Sequence, residues 1–144
     1  MARKLTVSDS LRNMPLLERC SDKEIAAIES IVTEVHPPAG RVLFVEGAIG
    51  NELIMIDSGT AEVTRSGVTL ATLGPGDHAG ELAILDEMPR TATITATSPM
   101  TLKVIERRDF RQLLKDSPGI ALTMLASLAR RLADADEKVA RLSD

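Results

Sequence analysis

The sequence predicts an α+β fold in which helical segments at both ends flank a central all-β region. Residues 1–31 show helical periodicity, residues 32–106 contain short apolar runs separated by turn residues, and residues 107–144 are helical again. No internal repeat or low-complexity linker divides the 144 residues, a length that suits one domain with its own core. We therefore expect a single domain over 1–144.

The N-terminal region contains a clear helix start. Ser21 is followed three residues later by Glu24, the capping-box spacing in which each side chain bonds the backbone N–H of the other residue. Ile25, Ile28 and Ile31 then recur at helical spacing. We expect a helix that begins after Ser21 and buries this isoleucine face.

The central region is predicted to be a series of short strands. Runs rich in Val, Ile, Leu and Thr alternate with turn sequences at 36–40, 46–52, 57–60, 65–67, 73–77 and 97–99. Strands at such regular short spacing are typical of a barrel, a sandwich or a jelly roll. One segment differs: ELAILDE at 81–87 is predicted to form a short helix within the β region.

Two helices are predicted at the C-terminal end. The first covers RRDFRQLLKDSPG and ends near Pro118, and the second runs from about Gly119 to Leu142. On the second helix, apolar residues step by three and four, the spacing of a coiled-coil seam, at Leu125, Leu128, Leu132, Ala135, Val139 and Leu142. Packing of this helix on its own domain would give a similar pattern. However, the last two turns of the helix would have little of the domain to cover, so we favour self-association.

Composition argues against several classes of function. Two Phe and no Tyr or Trp provide few aromatic platforms for nucleic-acid bases, and a net charge of −4 gives no basic footprint for a phosphate polymer or an anionic membrane. The single cysteine, Cys20, cannot form an internal disulfide. Because the sequence shows no signal peptide and no apolar run of about 20 residues, we expect a cytoplasmic protein.

The mostly apolar stretch GELAILDEMPRTA at 80–92 carries an acid at Glu81 and a base at Arg90. The first turn of the predicted helix offers free backbone N–H groups and a partial positive charge, which attract an anion. Gly80 lets a ligand approach the backbone closely, and Ala83 is also small. This stretch is therefore a candidate anion site.

Arg90 begins the alternating run RTATITA, after Pro89 has ended the helix. Strand alternation puts Arg90 on the apolar face of Ala92, Ile94 and Ala96, which we expect to line the barrel interior. An unpaired charge there would be costly, so Arg90 requires a buried anionic partner.

The sequence allows two possible partners for Arg90. Glu81 can form a purely structural ion pair with it. Alternatively a phosphate is the partner, because a guanidinium makes paired hydrogen bonds to two phosphate oxygens, and Glu81 then accepts from a ribose hydroxyl. The residues alone leave these interpretations level, and no Gly-rich Walker or Rossmann loop indicates a di- or triphosphate.

The stretch resembles the phosphate-binding cassette of the cyclic nucleotide-binding domain family, with matches at Gly80, Glu81, Leu82, Ala83, Pro89, Arg90, Thr91 and Ala92. Residues 44–63 resemble the family's glycine-punctuated strands, with Gly47 and Gly59 at turns, and residues 73–81 resemble its approach to the cassette. The resemblance implies an eight-stranded β-roll, a jelly-roll-like barrel, with N-terminal helices, a short cassette helix and C-terminal helices that act as a hinge and as a lid or dimer helix.

The same resemblance implies a role for each cassette residue. Arg90 would bind the cyclic phosphate and Glu81 the ribose 2′-hydroxyl, while backbone N–H groups near Leu82, Ala83 and Thr91 complete the phosphate cradle. The ligand would be cyclic AMP, or less readily cyclic GMP. In this family a threonine at the position of Thr91 can favour guanine, yet adenine-binding members also carry it. No cofactor, no metal and no catalysis are expected. The implied ligand-binding set is Gly80, Glu81, Leu82, Ala83, Arg90, Thr91 and Ala92.

Residues 125–142 resemble the dimer helix of bacterial catabolite activator proteins, which implies a homodimer through this helix. The positions that contact the adenine edge in those proteins are Ala135 and Asp136 here. Asp136 is therefore a candidate base contact, although a solvated helix charge is its plainer interpretation. No segment up to Asp144 resembles a DNA-recognition helix, so DNA binding is not expected of this chain, and its effector is unknown.

Two other functions compete with a cyclic nucleotide sensor that signals by moving its C-terminal helix. The first is a dimerising structural or interaction protein with a vestigial, non-binding cassette, which the helical seam motivates. The second is a metal-dependent enzyme of the cupin type, which needs a cluster of His and acidic ligands. The two histidines, His36 and His78, are predicted to be ordinary loop residues.

Overall fold

A computed structural model describes residues 11–81 and 86–143, with the backbone alone for 131, 135 and 138–143. Its helices are α1 (Asp22–Glu29), α2 (Arg107–Asp116) and α3 (Pro118–Ser143), and a 3₁₀ turn at Pro15–Leu17 precedes α1. Its strands are β1 (Thr33–Val35), β2 (Val42–Phe44), β3 (Ile49–Gly50), β4 (Glu52–Ser58), β5 (Ala61–Arg65), β6 (Val68–Leu73), β7 (His78–Ala79), β8 (Met88–Pro89), β9 (Thr93–Ala96) and β10 (Thr101–Glu106).

The strands pair antiparallel in two four-stranded sheets, with orders β1-β10-β4-β7 and β2-β9-β5-β6. These two sheets supply the eight strands of the predicted roll, and the α+β class is confirmed. A separate two-residue pair joins β3 to β8. The predicted helix at 81–87 is described only at Glu81, which is helical, and at 86–87, which are not.

Alternate residues of β4 and β10 feed two apolar cores, as the two-residue period of a strand requires. Ile54, Ile56 and Leu102 join the core between the sheets. Met55 and Ile105 point the other way and pack with the helices. The roll is therefore filled on the inside and covered by helices on one outer face.

The predicted N-terminal helix is confirmed as α1. Ser21 Oγ accepts from Glu24 N at 3.2 Å, and Ser21 N donates to Glu24 Oε1 at 2.9 Å, which completes the capping box. Ile25 and Ile28 are buried, and Ile31 packs partly buried against the same core.

The predicted break between the C-terminal helices is also confirmed. α2 ends at Asp116 and α3 begins at Pro118, whose ring suits the first turn of a helix. Ile120 and Met124 of α3 are buried, and the helix packs on the 3₁₀ turn and on α2. No helix in the described ranges is long and apolar enough to cross a membrane.

The exposed stripe of α3 differs from the predicted seam. Leu125 and Leu132 are 60% and 65% exposed, as a seam requires, but Leu128 packs partly buried against the chain's own core. Leu122, which the prediction omitted, is 73% exposed on α3. The side chains of the remaining seam residues lie outside the described part, namely Ala135, Val139 and Leu142.

Candidate functional site

A cavity of about 210 Å³ lies where the end of β7, the cassette and β9 meet. Its walls are formed by Phe44, Val63, Leu73, His78, Ala79, Gly80, Glu81, Met88, Pro89, Arg90, Thr91, Ala92 and Ile94. The structure thus brings five predicted site residues together: Gly80, Glu81, Arg90, Thr91 and Ala92. Two others, Leu82 and Ala83, fall outside the described residues.

Two backbone hydrogen bonds position Arg90 between β8 and β9. Arg90 N donates to Ala48 O at 2.8 Å, and Arg90 O accepts from Gly47 N at 2.8 Å. The alternation predicted from the sequence is confirmed, because Arg90 and Ala92 are each 9% exposed and Ile94 is 4% exposed on the same face. A cationic side chain therefore forms part of the wall of the roll's interior.

The guanidinium of Arg90 is only partly satisfied. Nη2 donates to the backbone carbonyl of Glu52 at 3.0 Å, and Cζ lies 3.5 Å from the centroid of the Phe44 ring. Nη1 is buried and has no hydrogen-bond partner within the described part of the chain. Burial lowers the pKa of Arg90, against the opposing effect of the Glu52 charge. A buried charged donor in this state is stabilised by an arriving anion.

Of the two partners that the sequence left open for Arg90, Glu81 is not used. In the described ranges no ion pair joins Arg90 to Glu81, and the carboxylate of Glu81 lies beside His78, with His78 Nε2 3.8 Å from Glu81 Oε2. The Glu81 side chain is 39% exposed at the cavity. Acid and base therefore face the cavity separately, and each can contact a different part of a ligand.

Two glycines make room for the Arg90 side chain. A Cβ on Gly50 would lie 1.9 Å from Arg90 Nε. A Cβ on Gly80 would lie 2.3 Å from Glu52 O and 2.9 Å from Arg90 Nη1, and Gly80 also has a φ of +94°, which L side chains rarely adopt. Gly80 is thus required by the protein's own packing, in addition to its predicted closeness to a ligand.

Thr91 lies on the opposite side of the chain from Arg90, as alternation predicts. The residue is exposed, and its carbonyl accepts a hydrogen bond from Arg65 Nε at 2.8 Å. It still contributes to the cavity wall. Thr91 is positioned at the rim of the site, where its hydroxyl is open to solvent or ligand.

Sequence reasoning missed the apolar wall of the cavity. Phe44 on β2, Val63 on β5 and Leu73 on β6 come from three different strands and line the cavity together. Phe44 is one of only two aromatic residues in the chain, and this rarity was a signal that could have pointed to the apolar wall. These side chains give the site an apolar surface opposite its charged groups.

His78 is not the loop residue that was predicted. It lies in β7, its backbone pairs with Met55 of β4, and its side chain is only 5% exposed. His36 follows β1 and contacts Glu34 and Thr101, so the two histidines lie in different settings. Among the residues that the structure describes, no three His, Cys, Asp or Glu side chains form a group that could hold a metal ion.

Asp136 lies on α3 with an exposed side chain and is not part of the cavity wall. Within one chain, the structure therefore does not bring Asp136 together with the cassette residues. Its contact with a base remains a prediction, and it would require a second copy or another position of the helix.

An antiparallel roll that exposes a buried arginine to a small cavity, beside a separate carboxylate and an apolar wall, defines a domain with a site suited to a small anionic ligand. The sequence model of the cyclic nucleotide-binding domain matches residues 34–117. The chain belongs to this family of cyclic nucleotide-binding domains.

Several relatives support this assignment. The Cyclic AMP receptor protein of Thermus thermophilus is 32% identical over 138 residues, which are 92% of this chain and 64% of that protein. A cAMP-dependent protein kinase regulatory subunit of Eremothecium gossypii is 33% identical over 113 residues, 78% of this chain but 25% of that protein. The chain thus spans less than two thirds of either relative.

A solved structure shares the fold over nearly the whole chain. The N-terminal domain of a transcriptional regulator from Streptomyces coelicolor superposes with a TM-score of 0.79 at 32% identity, covering 91% of this chain and 95% of that one. The agreement extends beyond the roll to most of the helical residues.

Proposed function

We propose that this chain is a cytoplasmic sensory module that binds cyclic AMP, and cyclic GMP less well, without chemically changing it. The observation that carries the proposal is the buried Arg90 guanidinium, whose Nη1 lacks a hydrogen-bond partner in the described part of the chain and which forms part of the cavity wall. A cyclic phosphate offers two anionic oxygens to such a group.

The cavity suits the three parts of a cyclic nucleotide. Arg90 would hold the phosphate, and the half-exposed carboxylate of Glu81 would accept a hydrogen bond from the ribose 2′-hydroxyl. The apolar side chains of Phe44, Val63 and Leu73 would cover the flat faces of the sugar and base. Backbone N–H groups near Leu82 and Ala83, which lie outside the described residues, would complete the phosphate cradle.

The preference for cyclic AMP rests on the relatives. Both the Thermus thermophilus receptor and the Eremothecium gossypii regulatory subunit carry cyclic AMP in their names. Titration calorimetry with cyclic AMP, cyclic GMP and non-cyclic 5′-AMP would test the proposal. We expect cyclic AMP to bind best, cyclic GMP to bind more weakly and 5′-AMP to bind poorly, because its phosphate is shaped and charged differently.

The calorimetry requires protein freed of any nucleotide that co-purifies with it, by unfolding, dialysis and refolding. Mass spectrometry of the released small molecules would identify the ligand taken up in the cell. Chromatography after a long incubation should recover cyclic AMP intact, and its conversion to AMP would contradict a pure binding role. Absence of heat with both cyclic nucleotides would overturn the proposal.

Signal output is proposed to pass through α3. The main packing partners of this helix are the 3₁₀ turn and α2, and a shift of the helix relative to them would leave the strand pairing of the roll intact. Hydrogen exchange of α3 with and without cyclic AMP would test this step. Identical protection of the helix in both states would contradict an output through α3.

Homodimerisation through α3 is proposed from its exposed apolar stripe, Leu122, Leu125 and Leu132. The same stripe favours the second candidate function, a dimeric interaction protein with a vestigial cassette. Light scattering with and without cyclic AMP separates the two, because a sensor dimer is expected to respond to the nucleotide, whereas a dimer with a vestigial cassette is not. Leu125→Glu should yield monomers, and a wild-type chain that is monomeric at high concentration would remove the dimer from both candidates.

A further inference from the structure

His78 lies directly behind the carboxylate that faces the proposed ribose position. Its side chain is 5% exposed, and Nε2 is 3.8 Å from Oε2 of Glu81, whose own side chain is 39% exposed. Both residues line the cavity. The imidazole is therefore enclosed by protein on most sides and meets the carboxylate near the cavity.

Among the described residues, the carboxylate of Glu81 lies beside the imidazole of His78. On the neighbouring strand β4, the backbone partner of His78 is the apolar Met55. The charged side chains among the described cavity-lining residues are Glu81 and Arg90. Burial disfavours the imidazolium, and the Glu81 carboxylate favours it.

We propose that His78 is a positioning residue for Glu81, and that protonation of His78 and binding of a cyclic nucleotide favour each other. As imidazolium, His78 would hold Oε2 and leave Oε1 to accept from the ligand hydroxyl. This inference rests on the proposed function, since it assigns to the same site a dependence on pH.

The direction of the coupling follows from electrostatics. A bound nucleotide displaces water from Glu81 and brings a phosphate charge into the cavity, and both effects strengthen the attraction for an imidazolium. The bound protein therefore takes up protons that the free protein lacks. Affinity should rise as the pH falls from about 8 to about 6, the interval in which histidine titrates and carboxylates keep their charge.

Calorimetry of the intact chain with cyclic AMP tests this in two ways. Titrations near neutral pH in two buffers of different ionisation enthalpy measure proton uptake directly. Titrations at pH 6, 7 and 8 measure affinity, for which we expect binding about three- to tenfold tighter at the lowest pH. The wild-type measurements need no substitution and therefore do not depend on how well a variant folds.

The chain offers a matched control, because it contains only two histidines. His78→Gln should bind cyclic AMP with little pH dependence and no proton uptake, and it should gain less from the 2′-hydroxyl when compared with 2′-deoxy cyclic AMP. His36→Gln should behave like the wild type. His78→Phe serves as a second variant if glutamine disturbs folding.

The outcomes separate this inference from the proposed function. Binding with no pH dependence and no proton uptake in the wild type would overturn the role of His78 and leave nucleotide binding intact. A pH dependence that persists in His78→Gln would also overturn the role of His78 and leave nucleotide binding intact. Absence of binding at every pH would remove the proposed function and this inference with it.

Discussion

Two cations are buried on this roll among the described residues, and their charges are satisfied in opposite ways. Lys103 on β10 is 1% exposed and donates to Glu34 on β1 and, at 3.2 Å, to Asp57 on β4. Arg90 is 9% exposed and has a backbone carbonyl, the face of Phe44 and an Nη1 without a partner in the described ranges.

The difference separates a structural cation from a binding cation. The strand order β1-β10-β4 places carboxylates on both sides of Lys103, so its countercharge comes from within the sheet. Around Arg90 the described neighbours supply a carbonyl dipole, an aromatic ring and the charge of Glu52, which forms no ion pair with it, and Arg90 lines the cavity. Burial alone therefore does not mark a ligand site, whereas burial of a cation without an ion pair to a carboxylate does.

The largest effect should come from Lys103→Met. This change leaves Glu34 and Asp57 close together without the ammonium between them, and the free energy of unfolding should fall by about 3 kcal/mol. Urea denaturation measures the loss. The affinity of the folded variant for cyclic AMP should stay at the wild-type value. A loss below about 1 kcal/mol would mean that the Lys103 cluster contributes little to stability.

Arg90→Met should show the reverse pattern. Removing a buried charge that forms no ion pair with a carboxylate among the described residues should leave the free energy of unfolding within about 1 kcal/mol of the wild type. Affinity for cyclic AMP should fall about ten- to a hundredfold, roughly 1.5–3 kcal/mol. Arg108→Met is the matched control, because that arginine side chain is 86% exposed on α2. If Arg90→Met lost stability instead of affinity, Arg90 would be a structural cation like Lys103.

From the sequence it was possible to predict that Arg90 is buried, but not which groups surround its guanidinium. Strand alternation identified Arg90 as buried, because alternation is a local property of the chain. The groups that surround its guanidinium lie about 40 residues away in the sequence. They are the ring of Phe44, the space left by the missing side chain of Gly50 and the backbone carbonyl of Glu52. The alternation at 90–96 carries no information about these three residues, and the turn-rich stretch around Gly50 was predicted only as a turn.

Two further errors have a similar cause. β7 has only two residues, too few for alternation to appear, so the turn residues around His78 dominated the prediction. On α3, a three-and-four spacing marks apolar positions but does not decide which of them face the chain's own core. That choice depends on how the helix docks on the 3₁₀ turn and α2, and docking turned Leu128 inward.

Gly50→Ala probes the space around Arg90 without removing it. The new Cβ would lie 1.9 Å from Nε, so the end of the arginine side chain must move. Because a flexible side chain can move at small cost, stability should change by less than about 1 kcal/mol, while affinity should fall by about tenfold. Gly74→Ala is the control, since a Cβ there meets nothing within 4 Å. Equal affinities for the two variants would show that the position of the guanidinium does not matter.

The smallest effect should appear at low pH and only at the structural cation. The hydrogen bond from Lys103 lowers the pKa of Glu34, so ionised Glu34 stabilises the fold above its unfolded pKa of about 4.3, and this contribution is lost as the pH falls through the lower folded pKa. Since the Glu34 side chain is 40% exposed, solvent weakens the effect. In urea unfolding between about pH 5 and pH 3, Glu34→Gln should lose less stability than the wild type, whereas the exposed control Glu18→Gln should match it. Parallel losses in the wild type and Glu34→Gln would show that Lys103 does not depend on this carboxylate for its countercharge.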